Sequence, residues 1–255
     1  MTSGIPRAFG ESMRRLTTTL GLILGAALLA PAAASAQNAL NLSIGGFTPR
    51  GLDGRPADDV LFIDSATLAT FNQSSGIDVS EFNGPTIGAE WLIGFGGNFE
   101  GSLGIGYYQR TVPSSYADFT DQSGNEIQQD LKLRIVPFTA TVRFLPLGHR
   151  SGIVPYIGGG VGVFAYRYSE TGRFVDFSDN SIFTASFSGS GSATGPVILG
   201  GVRFPVGSAL VGGEIRYQNA KGDLPADQFL PPANGGTPRI DLTGTSYLFT
   251  IGFRF

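Results

Sequence analysis

The sequence predicts an all-β fold: a closed antiparallel up-and-down transmembrane β-barrel of eight strands, preceded by a cleaved signal peptide. Three observations predict it. An export signal opens the chain, period-two alternation recurs in segments of membrane-crossing length, and the connections between those segments alternate between short and long.

The bulk numbers set the bounds. With 255 residues, 42% hydrophobic and 15% charged, the chain is long enough for one good-sized domain and too apolar to be disordered. Its 38 glycines and 20 phenylalanines beside two methionines fit a sheet better than a helical bundle. There is no cysteine, which excludes disulfides, thiolate metal sites and a lipid-bearing cysteine.

The export signal comes first. Arg7, Arg14 and Arg15 precede an uncharged run from Leu16 to Ala30, which Pro31 ends. That run is short of the ~20 residues a helix needs to cross a bilayer, so it reads as a signal peptide rather than an anchor. Ala34 and Ala36 supply the small residues before the cleavage point, giving residues 1–36 as signal peptide and 37–255 as the barrel domain. Arg14-Arg15 resembles a twin-arginine signal, but Thr17 stands where that signal wants a large apolar residue, which leaves the general secretory route.

Eight alternating segments follow, at 39–47, 85–95, 99–111, 130–145, 154–168, 194–204, 209–219 and 242–255. In the third, Phe99, Leu103, Ile105 and Tyr107 share one face while Glu100, Ser102, Gly104 and Arg110 share the other. One face suits lipid and the other water. Ile87, Ala89, Trp91, Ile93 and Phe95 are assigned outward in the second segment, with Glu90 inward. In the seventh, Val211, Ile215 and Tyr217 face out, and Glu214, Arg216 and Gln218 face in. The fourth changes parity, from Leu131, Leu133 and Ile135 to Phe138, Ala140, Val142 and Phe144. Pro137 lies between the two sets, so a bulge is expected there.

The connections fix orientation. Residues 96–98, 145–153 and 205–208 form short turns, whereas 48–84, 112–129, 169–193 and 220–241 are four long loops. Short turns belong in the periplasm and long loops outside the cell, with both termini periplasmic. A soluble β-sandwich explains the alternation but not the export signal and the loop rhythm together.

The residues that end the chain, Tyr247-Leu248-Phe249-Thr250-Ile251-Gly252-Phe253-Arg254-Phe255, resemble the C-terminal signal of the small bacterial outer-membrane β-barrel family that includes OmpA-, OmpX- and OmpW-like proteins. The stretch from Arg143-Phe144-Leu145-Pro146 to Val154-Pro155-Tyr156-Ile157-Gly158-Gly159-Gly160-Val161-Gly162 is similar to a recurrent glycine-rich segment of that family. The resemblance implies the fold and a location in the outer membrane among its lipid and lipopolysaccharide. It also implies delivery by periplasmic chaperones and the barrel-assembly machinery. Tyr247, Phe249, Ile251, Gly252, Phe253 and Phe255 are then the assembly signal. Activity is not implied, because one such fold serves several functions.

Charge separates by face. The expected lumen holds Arg110, Lys132, Arg134, Arg143, Arg203, Arg216 and Arg254 against Glu90, Glu100 and Glu214, seven basic groups to three acidic. An eight-stranded interior is just wide enough for side chains, so these groups are expected to fill it as a salt-bridge network, Glu90 and Glu214 pairing with Arg134 and Arg216. The alternative is a narrow anion path. The long loops carry fifteen acidic against five basic residues. Asp53, Asp58 and Asp59 offer oxygen ligands without the spacing of a calcium loop, so a solvated acidic face is expected instead of a metal site.

Catalysis has little to work with. The one histidine, His149, falls in a periplasmic turn, and no cofactor or metal motif is present. No enzyme activity and no nucleic-acid binding are expected. The expected role is structural, with surface binding by loops rich in aromatics such as Phe62, Phe71, Tyr116, Phe119, Phe174, Phe177, Phe183, Phe187 and Phe229. The extracellular ligand is unknown. A small porin-like channel, or an OmpW-like conduit for small hydrophobic molecules, is the alternative.

Overall fold

The computed structural model describes residues 38–70, 75–149, 151–233 and 235–255. The signal-peptide segment and Phe71 lie outside them. The described residues form eleven strands: β1 (Asn38–Pro49), β2 (Leu68–Thr70), β3 (Gly84–Phe95), β4 (Phe99–Thr120), β5 (Glu126–Phe144), β6 (Val154–Asp176), β7 (Ser181–Val206), β8 (Ala209–Gln218), β9 (Lys221–Asp223), β10 (Arg239–Asp241) and β11 (Gly244–Arg254). Eight of them close a ring in the order β1, β3, β4, β5, β6, β7, β8, β11 and back to β1. All its pairings are antiparallel. Closure leaves no free edge, so nearly every backbone polar group on the apolar wall has a ladder partner.

Two of the four expected long loops are not loops. Residues 112–129 and 169–193 are mostly strand: β4 and β5 run on to a turn at 121–125, and β6 and β7 to a turn at 177–180. The alternation continues through both stretches, with Val112, Ser114 and Tyr116 turned inward along β4. These hairpins are taller than the apolar wall beneath them.

The expected bulge at Pro137 is absent. Register between β4 and β5 is the same at Ile105↔Phe138 and at Tyr108↔Ile135, and β5 pairs β6 without a break through Pro137↔Phe164. Proline's missing N–H removes ladder bonding on the β4 side without inserting a residue. Side-chain parity therefore never changes along β5. Arg143, Thr141 and Thr139 point inward near the turns, and Ile135, Leu133, Leu131 and Ile127 point inward nearer the loops. On the other face, Val142, Phe138, Arg134 and Lys132 are exposed.

What changes is the surroundings. Near the turns the outer face is apolar and the inner face polar, as in a barrel held in lipid; near the loops the outer face is polar and the inner face apolar, as in a barrel held in water. The strand crosses from one solvent to the other between Phe138 and Arg134. On β6 the same crossing falls between Val163 and Arg167, both outward and exposed.

Candidate functional site

Six of the ten expected lumen charges meet inside the barrel. Arg143, completely buried, donates from one terminal nitrogen to Glu90 Oε2 at 2.7 Å and to Glu214 Oε2 at 3.0 Å. Arg216 reaches Glu90 Oε1 at 2.6 Å, and its Nε donates to Glu214 Oε1 at 2.9 Å. Arg203 forms a two-pronged pair with Glu100. Three guanidiniums thus balance three carboxylates. Tyr156 joins them: its hydroxyl donates to Glu214 Oε2 at 3.0 Å, and the guanidiniums of Arg143 and Arg203 lie 5.0 and 4.5 Å from its ring centroid.

Glycine makes room for this cluster. A Cβ at Gly104 would lie 3.0 Å from Glu90 Cγ and 2.9 Å from Thr139 Oγ1, and one at Gly201 would lie 2.5 Å from the Tyr156 hydroxyl. Side chains on every inward position would not fit a barrel this narrow.

The other four charges lie elsewhere. Lys132 and Arg134 project outward above the apolar wall, a correction that follows from the unbroken parity of β5; Arg134 therefore does not pair with the lumen carboxylates. Arg110 lies on the inward row of β4, but above the end of β3. There its side chain is exposed, and its Nε donates to the Glu81 carbonyl at 2.9 Å. Arg254 is half-buried at the turn end, 3.5 Å from the His149 carbonyl. The excess of positive charge expected in the lumen is thus carried on the outside and at the two ends. Arg134 and Arg167 stand directly opposite each other across β5 and β6.

Above the ion pairs the barrel is filled with apolar side chains. Phe47, Tyr108, Leu133, Ile135, Phe164 and Val197 belong to a continuous buried cluster that also takes in Val60, Leu61 and Phe82 from the loop of residues 50–83. The described residues of that loop, 50–70 and 75–83, fold over the mouth. Asp59 caps a short helix, Val60–Asp64, by accepting from Phe62 N, and forms a fully buried pair with Arg55 at 2.8 Å. It also accepts from Asp241 N at 2.6 Å, tying this loop to the last one. The Tyr108 hydroxyl donates to the Phe82 carbonyl from below. Between the ion pairs and this cap a cavity bounded by Ser43, Thr86, Glu90, Tyr108 and Ile135 has about 30 Å³. That space suits a water or two.

Two of the acidic residues of the first loop have structural partners. Asp58 pairs with Arg239 at 3.2 Å, and Asp59 is used as just described. Among the described residues no cluster of three or more metal-ligating side chains occurs. His149 sits at the turn end with Nε2 3.1 Å from the Phe99 carbonyl.

Sequence reasoning missed a second feature, a cavity of about 330 Å³ at the loop end. Its walls include Tyr116, Phe174, Phe177, Phe183, Phe187 and Phe229, and its polar lining includes Asp64, Gln129 and Glu170. Phe174 and Phe187 meet edge to face at 4.9 Å, and Ser188 N donates to Gln228 Oε1 at 2.9 Å, fixing the last loop as a rim. Burial, reinforced by the neighbouring carboxyl of Glu170, pushes the Asp64 carboxyl well above the ordinary carboxylate range. The aromatic content of these segments was the available signal; their convergence depends on tertiary structure.

No family model and no curated protein matches the chain. Solved structures do. The outer-membrane protein OprG of Pseudomonas aeruginosa aligns with a TM-score of 0.52 at 13% identity, over 87% of this chain and 96% of that one. Outer Membrane Protein W of E. coli (TM-score 0.42, 14% identity, 88% and 100% covered) and Neisserial surface protein A (0.43, 10%, 87% and 100%) are also similar. The likeness to OprG shows a shared fold, that of the small outer-membrane barrels.

Proposed function

We propose that the protein is an integral outer-membrane barrel that conducts nothing, has no catalytic role and serves the envelope as a rigid anchor for a surface-exposed cap. The observation that carries this reading is the double closure of the lumen: a balanced set of three Arg–Glu partners below and a continuous apolar plug above. Outward rows such as Leu40, Leu42 and Ile44 on β1 and Phe249, Ile251 and Phe253 on β11 supply the wall that meets acyl chains. An Arg or Lys at the middle of such a wall costs ~2 to 4 kcal/mol. Lys132, Arg134 and Arg167 stand instead just beyond its loop-side margin, the depth of headgroup phosphates of outer-membrane lipid and lipopolysaccharide. Arg134 opposite Arg167 is a like-charge pair that an anion between them relieves.

The chain has no cysteine, so single cysteines give a clean test. In proteoliposomes, labels at Phe138 and Val142 should report lipid and labels at Arg134 and Lys132 should report water or headgroups. The same vesicles should take up small sugars no faster than empty ones. Water-exposed labels at Phe138 and Val142, or rapid uptake, would overturn the proposal.

A further inference from the structure

We infer that the aromatic cavity at the loop end is a binding site for a small organic cation, an ammonium group carried on an apolar body. This goes beyond the closed barrel proposed above and does not depend on whether the lumen conducts.

The polar part of the cavity is built for positive charge. Asp64 and Glu170 are 6% and 7% exposed and face each other in a carboxyl–carboxylate hydrogen bond, which holds one proton and leaves the pair a single negative charge. Gln129 beside them is 3% exposed, and both ends of its amide are unpartnered. An amide buried with both ends unpartnered, beside a negatively charged carboxyl pair in the lining of an open cavity, marks a place where a ligand supplies the missing partners. Among the described residues no basic side chain lines the cavity, and Asp227 adds a third carboxylate.

The walls select the kind of cation. Phenyl rings offer no oxygen to a hard metal ion, which wants six or more such ligands. They do attract an ammonium through their faces, and they bury its apolar body. A volume of about 330 Å³ is at the small end of known ligand pockets, which suits a small organic ligand. The carboxyls come from two separate elements, the loop helix Val60–Asp64 and β6, and the rim comes from the last loop, so the site exists only in the folded cap.

The test uses the full barrel in nanodiscs, titrated calorimetrically against empty nanodiscs. The probes are 3-phenylpropyltrimethylammonium and the neutral 3-phenylpropan-1-ol. The ammonium should bind about tenfold or more tightly than the alcohol, and Asp64→Asn/Glu170→Gln should remove that preference while leaving alcohol binding unchanged. Equal affinity for the two probes, no binding of either, or a preference that survives the double substitution would overturn the inference. So would displacement of the ammonium by calcium at micromolar concentration, because that would make the site a metal site. If the double variant does not fold, Glu170→Gln alone replaces it: loss of the parent's preference for the ammonium supports the inference, and its survival overturns it.

Discussion

Arg143 has no exposed side-chain surface, and its charge is held by Glu90 and Glu214, while Arg216 draws on the same two carboxylates from the other side. Removing one acid therefore leaves two guanidiniums sharing the other. In a dry interior, breaking such a set from one side costs ~3 to 5 kcal/mol, and water in the residual cavity reduces that. Glu214→Gln should lower the denaturant midpoint of the folded barrel measurably. An unchanged midpoint would mean that the cluster is solvated. Asp64 gives a second prediction with the opposite kind of dependence. Its folded-state affinity for a proton, raised first by burial and then by Glu170, exceeds that of the unfolded chain, so the folded state binds more protons once pH passes the ordinary value of 3.8. The stabilisation is complete below that value and is lost as pH rises towards the folded-state value. The melting temperature should fall with rising pH over that window, and Asp64→Asn should flatten the decline.

Along β5 the sequence and the structure part ways for a definable reason. The alternation was legible in most barrel strands, least so in β6, where glycine alternates with apolar residues on both faces, and it placed Glu90, Glu100, Glu214, Arg143, Arg203 and Arg216 on faces that the structure brings together. Where apolar and polar residues exchange parity, a bulge in one solvent and a straight strand crossing between two solvents give the same pattern. Treating apolar as lipid-facing throughout misassigned Leu131, Leu133 and Ile135, and with them Lys132 and Arg134. The two readings predict different energetics. Leu133→Ala, which empties a buried site, should cost ~2 to 5 kcal/mol, whereas Arg134→Ala should stay within ~0.5 kcal/mol. Comparable small effects at both positions would restore the bulge. The loop-end cavity was illegible because its lining comes from six stretches of chain, near residues 64–68, 116, 129, 170–177, 183–187 and 226–231, that no local periodicity connects. The last strand yields a prediction at the same scale: Phe255, 76% exposed at the end of the outward row Tyr247, Phe249, Ile251 and Phe253, is available to assembly factors. Deleting it should reduce insertion into the outer membrane and leave export intact; normal insertion would count against its role as a signal.

As a whole molecule the barrel combines two solvent regimes in one closed sheet. The turn-side half has a polar interior and an apolar coat, and the loop-side half has an apolar interior and a polar coat, with residues 50–70 and 75–83 packed over the top. Closure without edges should make unfolding slow, so the unheated protein should migrate faster than the boiled protein on a denaturing gel. Whether the lumen is sealed is the central question, and planar-bilayer conductance of the purified parent protein addresses it most directly. The ion pairs and the plug predict no stable open level above the bare-bilayer baseline. Large, stable, anion-selective steps that weaken on Arg143→Ala or Arg216→Ala would contradict the sealed lumen and make these residues the lining of a channel.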